Sequence, residues 1–206
     1  MPATFFSMLH DLSADHSGDC SAAGLATTPH DRGTAQHSSR VGQGAALVAS
    51  RLGLDAHEVD VVAWAGILHD IGKLQVPDAV IYKPGPLTED DWAQIKRHPE
   101  IGSDMLVSFS PSLAPIAAGV RSHHERWDGG GYPDGLRGTE IPLAGRIVAV
   151  LDVFDSLTSD RPYRLRSWTE EAVVEHIRTS AGTHLDTDVV AVFLELNAAG
   201  AARRVG

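Results

Sequence analysis

Seven side chains of two chemical types recur along this sequence near the expected ends or middles of helices: His37, His69, Asp70, His98, His123, His124 and Asp152. Imidazole and carboxylate are borderline and hard ligands, a combination suited to iron, manganese or zinc. A His-Asp dipeptide alone is weak ground. It recurs at His10-Asp11 and His30-Asp31, in a polar stretch where a solvated surface is the simpler reading. For any single histidine in this chain, a hydrogen-bonded core or surface residue is the ordinary alternative. As a group they read differently, because five imidazoles and two carboxylates are too many for one tetrahedral ion and match the donor supply of a two-metal site. The adjacent His123 and His124 sharpen this. They sit in the stretch AGVRSHHERW, read as an otherwise apolar helix, where both would be costly buried polar groups unless something ligates or hydrogen-bonds them.

The elements that must carry these residues read as helices throughout. A helix is expected from about Thr34 to Leu52, with Val41, Ala45, Val48 and Leu52 at helical spacing and Gly53 as its stop. Asp55 and Glu58 make a capping-box pattern for a second helix that finishes in His69-Asp70-Ile71-Gly72-Lys73. Pro77, Pro84 and Pro86 make Leu74 to Leu87 mostly loop, with one turn of helix around Asp78 to Tyr82. Thr88 with Asp91 restarts the pattern. Helices follow near Asp90 to Arg97, Glu100 to Phe109 and Leu113 to Glu125, the first two parted by Pro99. The run Trp127 to Gly135 holds four glycines and a proline and cannot be helical. Further helices are expected over Leu143 to Leu157, Thr169 to Ser180 and Asp188 to Asn197, with no internal repeat and no strand-like alternation.

At 206 residues, 43% of them hydrophobic, the chain is long enough for one helical domain with a sizeable core and too short for two comfortable ones. Residues 1–32 are polar and without period, and are expected to form a partly disordered arm in which Phe5 and Phe6 could still dock; the domain proper is 33–206. No apolar run approaches the roughly 18 residues of a membrane span. The first residues carry no basic stretch ahead of a long apolar block, so a signal peptide is not expected and a cytoplasmic location is. Cys20, the only cysteine, has no intrachain disulfide partner. A formal charge of −10 would repel a nucleic-acid backbone, so a phosphate-bearing substrate must be drawn by local cations, whether side chains or metal ions.

Successive blocks then resemble one family. HDIGK at 69–73, HPEIG at 98–102, HHERWDGGGYPDGL at 123–136 and DVFDSLTSDRPYR at 152–164 are similar to the signature blocks of the HD-GYP family, and with HSSRV at 37–41 the resemblance runs from about Thr34 to Leu196. It implies an all-α HD-domain bundle with a glycine-rich GYP loop and extra C-terminal helices. It also implies a bacterial enzyme that binds iron or manganese and hydrolyses cyclic di-GMP. Carried over position by position, the metal ligands are His37, His69, Asp70, His98, His123, His124 and Asp152, with Asp70 bridging two ions. Lys73, four residues after His69 and so on the same face of a continued helix, would bind the scissile phosphate or protonate the leaving oxygen, against the alternative of a surface lysine. Tyr132 and Pro133 would shape the substrate site. Arg161 and Arg164 resemble the family's cationic contacts to the dinucleotide, although on the residues alone they read equally as a solvated face. Asp155, Asp128 and Glu125 would accept imidazole N–H groups beside the ligands.

One position departs from the pattern. Members with a third metal carry a glutamate four residues before the first ligand histidine, where this chain has Gly33. Two divalent ions are therefore expected rather than three, unless an irregular backbone at Gly33 lets Asp31 reach in. The mechanism that follows is in-line attack by a water shared between two ions about 3.5 to 4 Å apart, giving linear pGpG and at most slow conversion to GMP. Two rivals stand beside it: a phosphohydrolase of another nucleotide, and a catalytically weak module that senses cyclic di-GMP or docks a partner such as a GGDEF-type cyclase. Regulatory input and oligomeric state are not legible. His57, His176 and His184 fall outside the blocks and carry no assigned chemistry.

Overall fold

The protein is described by a computed structural model covering residues 29–159 and 168–199, with side chains in the first helix from Ala35 on. The helix α1 runs Pro29–Arg51 and turns through Gly53 into α2, Ala56–Leu68. The start of α2 is fixed as its sequence prescribes, with Asp55 accepting from the Glu58 N–H while the Glu58 carboxylate accepts from the Asp55 N–H. Where α1 and α2 cross, a Cβ on Gly66 would lie 2.8 Å from the Gly42 Cα, so two glycines let the backbones touch. A 3-10 turn, Ile71–Gln75, leads to the one-turn α3, Asp78–Ile81. Next come α4, Glu89–Ile95, capped by Thr88 and Asp91, and α5, His98–Phe109. After a 3-10 turn at Pro111–Leu113, α6 spans Ala114–Ser122. The glycine-rich loop ends in a 3-10 turn at Gly138–Glu140 that sequence reasoning did not anticipate. Finally α7, Leu143–Thr158, is followed by α8, Glu170–Ser180, and α9, Thr187–Ala198.

The main core is shared by α1, α2, α7, α8 and α9, whose inward stripes bring together Val41, Val48, Val62, Ile147, Val150, Ile177, Val189 and Phe193, all buried. A smaller cluster of Leu68, Leu106, Ala117 and Val120 ties α5 and α6 to the end of α2. Among the described residues there is no strand, only an isolated bridge between Ala181 and Leu185, and no helix is long and apolar enough to cross a membrane.

Three expectations about helix limits need correction. First, α1 begins at Pro29 rather than Thr34 and stays helical through Gly33, so the irregular backbone that would bring Asp31 into register is absent. Second, α2 stops at Leu68, so Lys73 sits in a 3-10 turn instead of on a continued α-helix with His69. Third, α6 stops at Ser122, which leaves His123 and His124 just beyond the helix and not inside it.

Candidate metal centre

The expected ligand histidines are brought together from four places in the chain, and three of them are aimed in one way. His69 Nδ1 lies 2.7 Å from the Gly66 carbonyl, His98 Nδ1 2.7 Å from that of Ile95, and His123 Nδ1 2.6 Å from that of Val120. A carbonyl can only accept, so each Nδ1 carries the hydrogen and, in the neutral ring, each Nε2 presents a lone pair. The carbonyls are available for a structural reason. Gly66, Ile95 and Val120 lie in the last turns of α2, α4 and α6, where carbonyls lack partners inside the helix. At Ile95 the residue four positions on is Pro99, which has no N–H to offer. Each ring therefore caps a helix end while turning its other nitrogen inward.

Inside the cluster, acceptors face acceptors. His98 Nε2 and His123 Nε2 are 3.3 Å apart, and His98 Nε2 is 3.2 Å from Asp70 Oδ1. His69 Nε2 is 3.4 Å from Asp70 Oδ2 and 3.9 Å from Asp152 Oδ1; it is buried and has no hydrogen-bond partner. Neutral imidazoles and carboxylates cannot satisfy one another in this arrangement, whereas a cation placed among them would satisfy both. The donors fall into two groups, His37 with His69 and Asp70, and His98 with His123 and His124, each with its ligand atoms within 4.8 Å of one another. The two Asp70 oxygens face different groups, which suits a carboxylate shared between two ions. A divalent metal pair fits these residues.

His37 is held differently, because it lies mid-helix where carbonyls are occupied. Its Nδ1 is 2.6 Å from Asp155 Oδ2 and its Nε2 3.2 Å from Asp152 Oδ1. Burial opposes a charge on this ring, but the hydrogen bonds to Asp152 and Asp155 outweigh it and bring His37 up to about 9. Burial and the neighbouring His98 take His124 down to about 4. Burial works against ionised Asp70, yet the neighbouring Lys73 ammonium holds its carboxyl well below the usual range. Lys73 Nζ stands 2.6 Å from Asp70 Oδ2, half-exposed at the edge of the cluster.

The glycine-rich loop closes over this edge. Tyr132 donates its backbone N–H to the His124 carbonyl and stacks its ring on His124 at 4.8 Å, with Lys96 Nζ 5.6 Å from the centre of the tyrosine ring. Gly131 permits the turn, since a Cβ there would come 2.4 Å from the Arg126 nitrogen. Of the three expected acceptors of imidazole N–H groups, only Asp155 serves. Buried Glu125 instead accepts the backbone N–H groups of Asp134 and Gly135, and Asp128 pairs with Arg126 and the Gly130 N–H. Both carboxylates thus serve N–H groups of the loop itself. Arg161 and Arg164 lie outside the described residues. Residues that sequence reasoning missed are Arg40, which grips Asp155, and Lys96; the i, i+3 spacing from His37 to Arg40 was the available signal for the first.

The family model described as "HD domain" matches residues 27–189. The chain is 45% identical over 165 residues to the cyclic di-GMP phosphodiesterase response regulator RpfG of Xanthomonas campestris, covering 80% of this chain and 43% of that protein. It is 42% identical over 167 residues to a cyclic di-GMP phosphodiesterase of Thermotoga maritima, covering 81% and 45%. Against the 3'3'-cGAMP-specific phosphodiesterase 2 of Vibrio cholerae it is 37% identical over 171 residues, covering 82% and 33%. The chain thus spans less than half the length of these relatives. Two solved structures share the fold: a cyclic GMP-AMP specific phosphodiesterase of V. cholerae, with TM-score 0.62, 20% identity and coverage of 82% and 48%, and Bd1817 of Bdellovibrio bacteriovorus, with TM-score 0.65, 16% identity and coverage of 94% and 60%. With its matched length and its ordered motifs, the chain belongs to the HD-domain family and is of its HD-GYP type.

Proposed function

We propose that this domain is a metal-dependent phosphodiesterase that opens the ring of cyclic di-GMP to give linear pGpG. The observation that carries the reading is the set of buried, inward-facing lone pairs, above all the unpartnered His69 Nε2. His37, His69, Asp70 and Asp152 would hold one divalent ion, and Asp70, His98, His123 and His124 the other. A bound metal pair supplies Lewis acidity to a phosphate oxygen and makes water acidic enough to attack near neutral pH. Mixed imidazole and carboxylate donors suit iron or manganese.

The chain's own side chains complete the site. Lys73 offers its ammonium beside Asp70, where a scissile phosphate facing the metals would meet it, and can donate a proton to the leaving oxygen. Tyr132 forms one wall, its ring held by His124. Arg161 and Arg164 are proposed as further cationic contacts to the dinucleotide. Two ions are favoured over three, because α1 stays helical through Gly33 and so offers no carboxylate one turn before His37. With two ions, pGpG should accumulate and GMP form slowly, and Gly33→Glu should raise both metal content and GMP yield. Three metals per unmodified chain, or GMP as the dominant early product, would rule this out.

A second substrate reading is favoured by the relatives named 3'3'-cGAMP-specific phosphodiesterases, at 37% and 42% identity. Anaerobically purified protein loaded with manganese or iron should be given cyclic di-GMP and 3'3'-cGAMP in parallel. Faster turnover of cyclic di-GMP is expected. Preference for 3'3'-cGAMP would move the assignment to that substrate, and tight binding of cyclic di-GMP without turnover under every metal condition would favour a sensor.

A further inference from the structure

Two helices face each other behind the metal centre, each carrying a pair of polar residues one turn apart: His37 and Arg40 on α1, Asp152 and Asp155 on α7. They are cross-linked in one network. His37 Nδ1 is 2.6 Å from Asp155 Oδ2, and His37 Nε2 is 3.2 Å from Asp152 Oδ1. Arg40 donates from Nε to Asp155 Oδ1 at 2.5 Å and from Nη2 to Asp155 Oδ2 at 3.0 Å, and Nη2 also reaches Ser159 Oγ at 3.0 Å. Asp155 is 7% exposed, and both of its oxygens are occupied by these donors.

The need for such a device follows from where His37 stands. The other buried ligand histidines are oriented by helix-end carbonyls, whereas His37 is in the interior of α1 and has none. Its Nδ1 is held by Asp155, and a carboxylate on an α7 side chain can swing about two torsions unless something fixes it. A guanidinium fork supplies two parallel N–H donors that match a carboxylate edge and set its plane.

We propose that Arg40 is a positioning residue for the metal centre: by clamping Asp155 it fixes the His37 ring with Nδ1–H toward Asp155 and Nε2 toward Asp152, and so tunes one of the two metal sites. Arg40 touches neither metal nor substrate in this assignment. It acts through Asp155 and His37, on the group formed by His37, His69 and Asp70, and leaves the group formed by His98, His123 and His124 alone. The inference rests on the metal-binding reading of the cluster.

Its test is a titration of metal-free protein with manganese under anaerobic conditions, followed calorimetrically, for the wild type, Arg40→Ala, Arg40→Lys and Arg40→Gln, with thermal unfolding of each metal-free form. Loss of a partner that orients a ligand typically weakens metal affinity by about 10 to 100-fold. The expected result is that one of the two binding steps weakens by that factor in Arg40→Ala while the other stays at its wild-type value. Arg40→Lys, which keeps the charge but not the fork, should recover only part of the loss. Should Arg40→Ala fail to fold, Arg40→Gln, which fills the space with a neutral amide in place of the charged fork, should show the same one step weakened. Unchanged affinity at both steps, or equal weakening of both in step with a fall in metal-free stability, would overturn the assignment. A wild type that takes up no divalent metal at all would instead sink the metal-centre reading itself.

Discussion

Lys73 and His69 stand four positions apart and should fail in different ways when removed. His69 presents a buried lone pair that nothing among the described residues satisfies, so His69→Ala would remove a proposed ligand, and metal and activity should go together. Lys73 presents a charge at the edge of the same cluster, 2.6 Å from Asp70 and half-exposed. Lys73→Ala should therefore keep both metals while turnover of cyclic di-GMP falls by about 100-fold or more, the usual scale for loss of a positioned acid or phosphate contact. Elemental analysis beside steady-state kinetics separates the two. Full metal content in His69→Ala, or unchanged turnover in Lys73→Ala, would contradict these two roles. The residue types at this site were legible because so many imidazoles and carboxylates fall in ordered blocks. Their aim was not, because it depends on carbonyls of Gly66, Ile95 and Val120, which every residue carries and no sequence pattern marks.

Among the helices, the starts of α2 and α4 were the easiest limits to read. Asp55 with Glu58 and Thr88 with Asp91 both form the reciprocal caps their spacing announces. The ends of α2 and α6 were misjudged, since no glycine or proline directly follows Leu68 or Ser122 to mark a stop, while the imidazole N–H groups of His69 and His123 take carbonyls at the end of the helix. The α4 cap also makes a pH prediction. A hydrogen bond from Lys83, followed by those from the Thr88 backbone and side chain, lowers Asp91 from 3.8 to about 2. A carboxyl depressed on folding stabilises the folded state above its unfolded pKa and loses that contribution as pH falls through its folded one. The difference in melting temperature between the wild type and Asp91→Asn should thus be largest above about pH 4 and shrink as pH approaches 2. A difference that does not change between those limits would mean that ionised Asp91 does not hold the cap. At the other end of the chain, buried Asp186 caps α9 through the N–H groups of Asp188 and Val189 and receives Arg146 at 2.6 Å. Asp186→Ala would leave that arginine without its carboxylate, and a loss of about 3 kcal/mol in chemical denaturation is expected; a loss under about 1 kcal/mol, the scale of an exposed pair, would refute it.

Across the whole molecule, the site is assembled from parts that are far apart in the chain and are brought together by the two apolar clusters behind it. His37 comes from α1, His69 and Asp70 from the end of α2, His98 from α5, His123 and His124 from the segment after α6, and Asp152 from α7. The loop that covers it is braced from the C-terminal side, where Trp127 and Asp128 donate backbone N–H groups to the carbonyls of His184 and Thr183 in the turn between α8 and α9. Sequence alone separated these pieces as blocks, and the α8–α9 turn carried no motif to connect it with the loop. Because the proposed ligands converge only in the folded chain, a metal held by them would bind the native state and not the unfolded one, and its binding energy would add to stability. At a free metal concentration about 1,000 times the dissociation constant, that contribution is about 4 kcal/mol for one site. For a domain of this size each kcal/mol moves the melting temperature by roughly 2 to 4 °C, so loading should raise it by roughly 8 to 16 °C. Chelation should reverse the gain, and the cluster left behind, with carboxylates and imidazole lone pairs facing one another, should unfold first in hydrogen exchange around His69, His98 and His123. A melting temperature that is the same with manganese, with iron and with chelator would show that the convergent donors do not hold a metal.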